Sequence, residues 1–386
     1  MDTKQLTAML QDGHFDVWKK LQYKYSAPAV AEMLDTLKVM GFASLPIHDF
    51  GGGSCVYYPA KCIMPKDAMR HLLSRQQDPY GRKAMEDEIE FTLRIENIHS
   101  NRDSVRKIVE GYAPSDQSEA QIFGIKKGLD FISDRSNAIT EENLHRLYML
   151  SVGDFLGIDD QLLPGQYYRH DAVYITGDKT YHQGISAAKL PQYMAELVVF
   201  INRKDEIPEL TKACIIHFYF AYLHPYFDGN GRTARLLHLW YLVQQGFSST
   251  LFFAFSKHIN QSKNQYYKCF TQIEENFSVG NLLDMTPFIR YFKESVYDQI
   301  PRQSQDFTTI DRFLVAKTQG VITEKEQALW HFVLSRYGQE PFSTKQLERD
   351  FSNAAYATIR GFVLKFEGLE LLRSQRYGNR VKYQVN

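Results

Sequence analysis

The stretch HPYFDGNGRTAR, His224–Arg235, lies between two strongly apolar helical patterns, Glu209–Tyr222 and Thr233–Gln245. Gly229-Asn230-Gly231 lets backbone N–H groups converge without side chains in the way. The next helix begins there, so its positive dipole end faces the same point. The three residues read as an anion nest. Arg232 and Arg235 are three apart on the first helical turn, hence on one face, where two guanidinium forks can hold phosphate oxygens. Asp228 beside the nest is a hard oxygen ligand suited to a magnesium ion that bridges phosphates. His224, whose side-chain type has a reference pKa of about 6.5, can accept a proton from an incoming hydroxyl at neutral pH. Taken singly, the glycines would only mark a helix start and the histidine a structural turn. Together they describe a nucleotide-phosphate site with a base.

Working outward, helical spacing recurs at residues 28–40, Lys83–Ile98, Glu119–Ser133 and Glu141–Val152, with Thr140 as an N-cap and a loop holding Pro46 and Gly51-Gly52-Gly53. Between Pro164 and Ile185 the text changes to YYRHDAVYIT, with period-two alternation and a Gly177-Asp178 turn, which predicts a β-hairpin. Helical patterns resume at Leu190–Asn202 and continue through Asn264–Asn276 and Thr286–Tyr297. The polar run Pro301–Thr309 reads as a linker. Beyond it come Glu326–Tyr337, Thr344–Phe351 and Ala354–Phe366, then two strand-like runs about Gly378-Asn379, a pattern that predicts a winged helix-turn-helix. The expected fold is mainly α, with a helical core carrying one small hairpin. The expected division is residues 1–115, an N-terminal helical region, 116–300, the catalytic core, and 310–386, the winged helix-turn-helix.

The chain has 386 residues, 44% hydrophobic, 23% charged and 14% aromatic, which is enough apolar material for real cores and excludes wholesale disorder. Lys+Arg 45 against Asp+Glu 45 leaves no net charge, so a nucleic acid or membrane partner would need a local patch. Cys55, Cys62, Cys214 and Cys269 show neither a CxxC pair nor zinc spacing, and the N-terminus has no signal-like apolar run. The longest apolar stretch, Ala213–Phe227, is broken by His217 and His224 and is too short for a bilayer. A cytoplasmic protein with no membrane partner is expected.

The motif block resembles the signature HxFx[DE]GNGRxxR of the Fic (Fic/Doc) family, with His224, Asp228, Gly229, Asn230, Gly231, Arg232 and Arg235 in register and Tyr226 in place of the usual Phe. The likeness extends over Glu119–Tyr297. Known members mostly transfer AMP from ATP to a Ser, Thr or Tyr hydroxyl of a protein. The resemblance therefore implies an adenylyltransferase using ATP and Mg²⁺, with His224 as general base and Asp228 as metal ligand. Asn230 and the glycine amides would hold the α-phosphate, and Arg232 and Arg235 the outer phosphates. Gly231 stands where a phosphotransferase relative has Lys. Residues 164–177 resemble the family's flap, which aligns the target segment by strand pairing, though a plain surface hairpin reads the same. Tyr267 and Asn281 resemble the adenosine contacts, stacking and hydrogen bonding respectively; for Tyr266 and Tyr267 core packing is the alternative.

Many Fic proteins also carry an inhibitory helix, [ST]xxxE[GN], whose Glu pairs with the second motif arginine. Thr92–Asn97 matches it, with Thr92, Glu96 and Asn97 at the defining positions, and Thr271–Asn276 matches it again. Glu96 is the preferred brake because it lies upstream in the helical region. The expected partners are a hydroxyl-bearing target protein and the chain itself, by automodification; a homodimer is compatible with the sequence. Arg360, Lys365, Arg373, Arg376, Arg380 and Lys382 could form a phosphate-tracking stripe for DNA, or a solvated face on a protein-docking module. Two other functions fit the same text: a nucleotide-sensing DNA-binding regulator, and an enzyme that removes AMP.

Overall fold

The structure, a computed structural model, describes residues 2–73, 81–157, 160–176, 181–247, 249–300, 312–313, 315–317, 319–338, 340–377 and 380–386. The N-terminal helices α1 (Thr3–Gln11), α2 (Trp18–Tyr25) and α3 (Ala27–Met40) precede a hairpin of β1 (Ala43–His48) and β2 (Ser54–Tyr57). Next come α4 (Lys66–Leu73), α5 (Arg82–Ile95), α6 (Arg102–Val109), α7 (Gln117–Ser133) and α8 (Glu141–Ser151). A second hairpin, β3 (Tyr174–Thr176) and β4 (Tyr181–Gln183), leads into α9 (Leu190–Asn202), α10 (Glu209–Leu223) and α11 (Asn230–Gln244). The helices α12 (Phe255–Gln261), α13 (Lys263–Gly280) and α14 (Thr286–Ser295) follow. A C-terminal unit has α15 (Glu324–Arg336), α16 (Thr344–Phe351), α17 (Tyr356–Gly368) and the antiparallel pair β5 (Leu372–Tyr377) and β6 (Arg380–Val385). The expected mainly α architecture is what the chain adopts. The linker Pro301–Thr309 and the turns Gly177-Asp178 and Gly378-Asn379 lie outside the described residues.

Two helices organise the larger part of the chain. α10 is buried on nearly every face, from Leu210 through Leu223, and α11 from Arg232 through Val243. A helix that is apolar all round belongs at the centre of a bundle rather than on its surface. α10 and α11 pack on each other, with α7, α8 and α5 against α11 and with α9 and α14 against α10. The loop 224–229 joining the two central helices is thereby held at one end of the core.

One apolar cluster runs from Leu45 to Ile300 and takes in Ile89, Leu93 and Ile95 of α5 together with the central helices. Packing therefore crosses the join at 115/116. The helices α1–α3 form their own small cluster around Trp18, Val30 and Met33, and the C-terminal unit another around Trp330, Phe342 and Phe366. That unit bears on α5 and α6 through ion pairs: Arg336 with Glu86 at 3.4 Å and Glu110 at 2.9 Å, and Glu340 with Arg102 at 3.0 Å and Lys83 at 3.3 Å. Among the described residues no helix is long and apolar enough to cross a membrane.

The β1–β2 hairpin corrects the expectation of helix and loop before residue 115. Leu45 and Ile47 are buried while Ser44 and Pro46 are exposed, the alternation of a half-buried strand, with Pro on the side where no ladder bond is needed. The glycine run is the turn, closed by the Asp49 carboxylate, which accepts from the N–H of Gly51 at 2.8 Å and of Gly53 at 2.9 Å. On its far side β2 meets residues 283–285, where Val56 N–H donates to Leu283 O and Met285 N–H to Val56 O.

Asp284 in that segment is fully buried; Thr286 donates to its Oδ1 from both N–H and hydroxyl, and Oδ2 has no partner among the described residues. Burial, opposed by the Thr286 bonds, pushes its pKa up from 3.8 to about 7. A carboxyl raised on folding favours the fold when protonated, so its ionisation costs stability above pH 7 and that cost disappears as pH falls toward 4. Asp284→Asn is expected to stabilise the protein at pH 8 by about 2 kcal/mol and by much less at pH 5. Urea unfolding at the two pH values checks this, and an equal effect at both would contradict it.

Candidate active site

The loop between α10 and α11 is shaped by two left-handed residues. His224 caps α10 with φ 51° and ψ 61°, and Gly229 caps α11 with φ 81°. Only glycine fits the second, since a Cβ there would collide with Val152. Asn230 closes the turn: its side chain accepts from Tyr226 N–H at 2.9 Å and donates to Tyr226 O at 2.8 Å. The Asn230 side-chain oxygen and one of its two N–H donors are thus engaged with the loop.

At His224 the ring Nδ1 lies 3.3 Å from Ala221 O. A carbonyl can only accept, so the neutral ring carries its proton on Nδ1 and its lone pair on Nε2. That is the tautomer a general base needs. Asp228 is about half exposed; its Oδ1 accepts from Gly229 N–H at 2.6 Å and its Oδ2 pairs with Arg232 Nη2 at 2.7 Å. Arg232 and Arg235 are almost fully buried.

Arg235 reaches across to α5. Its Nε donates to Thr92 Oγ1 at 2.7 Å, and its Nη2 donates to Thr92 O at 3.1 Å and to Glu96 Oε1 at 2.7 Å. Glu96 is the C-cap of α5, and Asn97 after it has φ 59°, the left-handed turn that Asn tolerates and that ends the helix. The Glu96 carboxylate sits over Gly231, where any Cβ would strike Oε1 and would also come within 3.2 Å of Arg235 Nη1. An anion therefore already rests on the first turn of α11. Among the described residues, Arg235 Nη1 and Arg232 Nε are buried donors without a protein partner, as expected of a site built for more anion oxygens than one carboxylate provides.

Residues 139–242 match the family model described as the Fic/DOC family. The chain carries a Fic domain. Among curated relatives, protein adenylyltransferase fic-1 of Caenorhabditis briggsae is 30% identical over 107 residues, covering 26% of this chain and 18% of that one. Protein adenylyltransferase Fic of Aedes aegypti is 23% identical over 195 residues, covering 49% and 34%. The chain thus spans about a third or less of the length of these two relatives. A Fic family protein from Desulfovibrio desulfuricans G20 superposes with TM-score 0.49 and 19% identity, over 79% of this chain and 87% of that one.

The other expected Fic residues divide. Tyr267 is 43% exposed beside the end of α5, with its hydroxyl 3.4 Å from Ile95 O, while Lys263 lies over its ring and donates to Asn97 Oδ1 at 2.8 Å. Tyr266 is core, bonded to the buried His217 at 3.0 Å. Asn281 is placed elsewhere. It caps the far end of α13, next to Gly280, which packs on Trp18 and Leu34. Fourteen helical steps of about 1.5 Å each put Asn281 and Tyr267 about 21 Å apart, and they cannot hold the same base. The second match to the inhibitory pattern is a joint: Glu275 pairs with Lys19, and Asn276 donates to Asp16 O and accepts from Trp18 N–H.

Tyr226, the departure from the motif, is fully buried and stacked on Tyr148 with centroids 3.5 Å apart. Its hydroxyl has no partner among the described residues, and neither has that of Tyr148. Removing an orphaned buried hydroxyl should cost nothing and gain about 1 kcal/mol. Tyr226→Phe is expected to raise the melting temperature without lowering activity; a fall in melting temperature would show that the hydroxyl is satisfied.

The sequence reading missed Arg169, which is buried against this loop and donates to the carbonyl of His224 at 2.8 Å. Its one textual sign was an arginine inside an otherwise strand-like run. The hairpin itself is shorter than that run suggests, starting at Tyr174, because residues 169–173 are folded around the guanidinium.

Proposed function

We propose that the chain is a protein adenylyltransferase that moves AMP from ATP to a hydroxyl of a protein target, itself included, and that Glu96 restrains it. The carrying observation is the Glu96 carboxylate seated on Arg235 above Gly231. The Arg235 fork holds an anion from a helix whose Thr92 accepts from the same guanidinium and whose Asn97 ends it in a left-handed turn. An outer phosphate of ATP and Glu96 compete for the same fork.

In the reaction, His224 Nε2 takes the proton as the target oxygen bonds to the α-phosphorus and the bond to the oxygen bridging the β-phosphorus breaks, releasing pyrophosphate. The N–H groups at the start of α11 and the two arginines stabilise the charge that develops on the phosphates. Asp228 fits a magnesium ion: it is the site's exposed hard-oxygen donor, and among the described residues no cluster of three His, Cys, Asp or Glu could cage a metal alone. Such an ion takes one or two carboxylates plus phosphate oxygens and waters, and it would offset phosphate charge. Asp228 would have to exchange Arg232 for that ion.

A winged helix-turn-helix is our reading of α15–α17 with β5–β6, supported by Phe342 bridging to Tyr383 of the hairpin. Of its basic residues, Lys365 is committed to Glu326 at 2.8 Å, whereas Arg360, Arg373 and Arg376 are exposed. DNA is the partner this stripe suggests, and salt-dependent affinity for duplex DNA is its test. A cytoplasmic setting and self-association as a homodimer belong to the same reading.

Intact-mass spectrometry after incubation with ATP and Mg²⁺ tests the reaction type. Glu96→Gly is expected to gain increments of one AMP. Increments of one phosphate would mean transfer of the outer phosphate and would overturn the proposal.

A further inference from the structure

Arg169 is 2% exposed and makes no ion pair among the described residues. Its guanidinium is spent on carbonyls from three separate segments: Nε donates to His224 O at 2.8 Å, Nη1 to Asp171 O at 2.6 Å, and Nη2 to Ile185 O. Its own N–H donates to Pro225 O at 2.9 Å. Asp171 stands just before β3 and Ile185 just after β4, so one planar ion ties both roots of the flap hairpin to the backbone of the proposed base. Gly184 makes the room: a Cβ there would come within 2.9 Å of Nη2 and 2.8 Å of Val173 Cγ1.

A buried cation whose hydrogen-bond partners among the described residues are carbonyls is costly, and the planar fork suits three acceptors in fixed directions. His224, in turn, holds a left-handed conformation that is unfavourable for a non-glycine residue and persists only where the surroundings over-determine it. Arg169 bonds the carbonyl of His224 and of the residue after it. The same ion therefore sets where the base points and where the flap begins.

We propose that Arg169 is a positioning residue for transfer, holding the flap in register with His224 so that a target segment laid along the flap presents its hydroxyl to Nε2. This rests on the adenylyltransferase reading. Lysine carries the charge but not the fork, so Arg169→Lys cannot restore the three-way tie.

Two measurements separate this proposal from that reading. In the Glu96→Gly background, Arg169→Lys and Gly184→Ala are expected to slow automodification at saturating ATP by about 10- to 100-fold, the scale of a displacement of about 1 Å, with KM for ATP within about twofold. A merely structural role would instead be rescued by lysine or would move KM and rate together. Hydrogen exchange needs no activity: amides of residues 171–176 and 181–185 are expected to exchange at least about tenfold faster in Arg169→Lys, with α7 and α9 unchanged. Unaltered flap exchange, or full activity in Arg169→Lys, overturns the proposal. Faster flap exchange with no AMP transfer even in Glu96→Gly retains the anchor and sinks the adenylyltransferase reading.

Discussion

Replacing His224 is expected to lower the proposed AMP transfer by about 10²- to 10⁴-fold, the range that a positioned general base contributes. With Nδ1 directed at Ala221 O, Nε2 is the ring atom that would receive the hydroxyl proton in the proposed reaction. ATP binding should survive, because the groups proposed to meet phosphate lie on α11 and at Asp228, not on the imidazole. His224→Ala also places alanine at φ 51°, so His224→Asn is the better control, since Asn tolerates the left-handed region. Both variants should lose transfer while binding ATP with near wild-type affinity by calorimetry. Transfer surviving in His224→Asn would remove the base from the mechanism and favour a nucleotide sensor.

Removing the brake acts in the opposite direction. Glu96→Gly is expected to raise automodification by about 10- to 100-fold. A charge-assisted hydrogen bond contributes about 1.5–3 kcal/mol, and each 1.36 kcal/mol is tenfold in rate. The lower half of the range is the safer one, because the Glu96 side chain is 28% exposed and solvent screens it. Arg235 would not be left an uncompensated charge with ATP bound, since in the proposed reaction an outer phosphate takes the carboxylate's place. Glu96→Gln keeps the shape and loses the charge, so it should activate less than Gly. Mutation of Glu275, which pairs with Lys19 instead, should leave activity unchanged.

The site was legible to the extent that it is local. His224 through Arg235 is one loop and one helical turn, where spacing alone decides which side chains converge, and α9 and α16 begin and end where helical periodicity put them. What needed the fold was everything joined over distance. Thr92–Asn97 and Thr271–Asn276 are equal as text, and only the packing of α5 on α11 and of α13 on α2 shows that Glu96 meets Arg235 while Glu275 meets Lys19. Asn281 failed because a helix of eighteen residues separates its ends by more than a base can span. Arg169 gave almost no signal, since an arginine bound to three carbonyls has no partner residue type to look for. Pro46 and the glycines 51–53 disguised β1–β2 as a loop, although the alternation at Leu45 and Ile47 was there to read.

In the proposed function this loop transfers AMP and Glu96 withholds the transfer. Wild type, Glu96→Gly and Glu96→Gly/His224→Ala should be incubated with Mg²⁺ and ATP radiolabelled in its α-phosphate, then separated on a denaturing gel. Label that is strong in Glu96→Gly, weak in wild type and absent in the double variant is the predicted result. A Glu96→Gly protein that binds ATP by calorimetry yet takes up no label would contradict it.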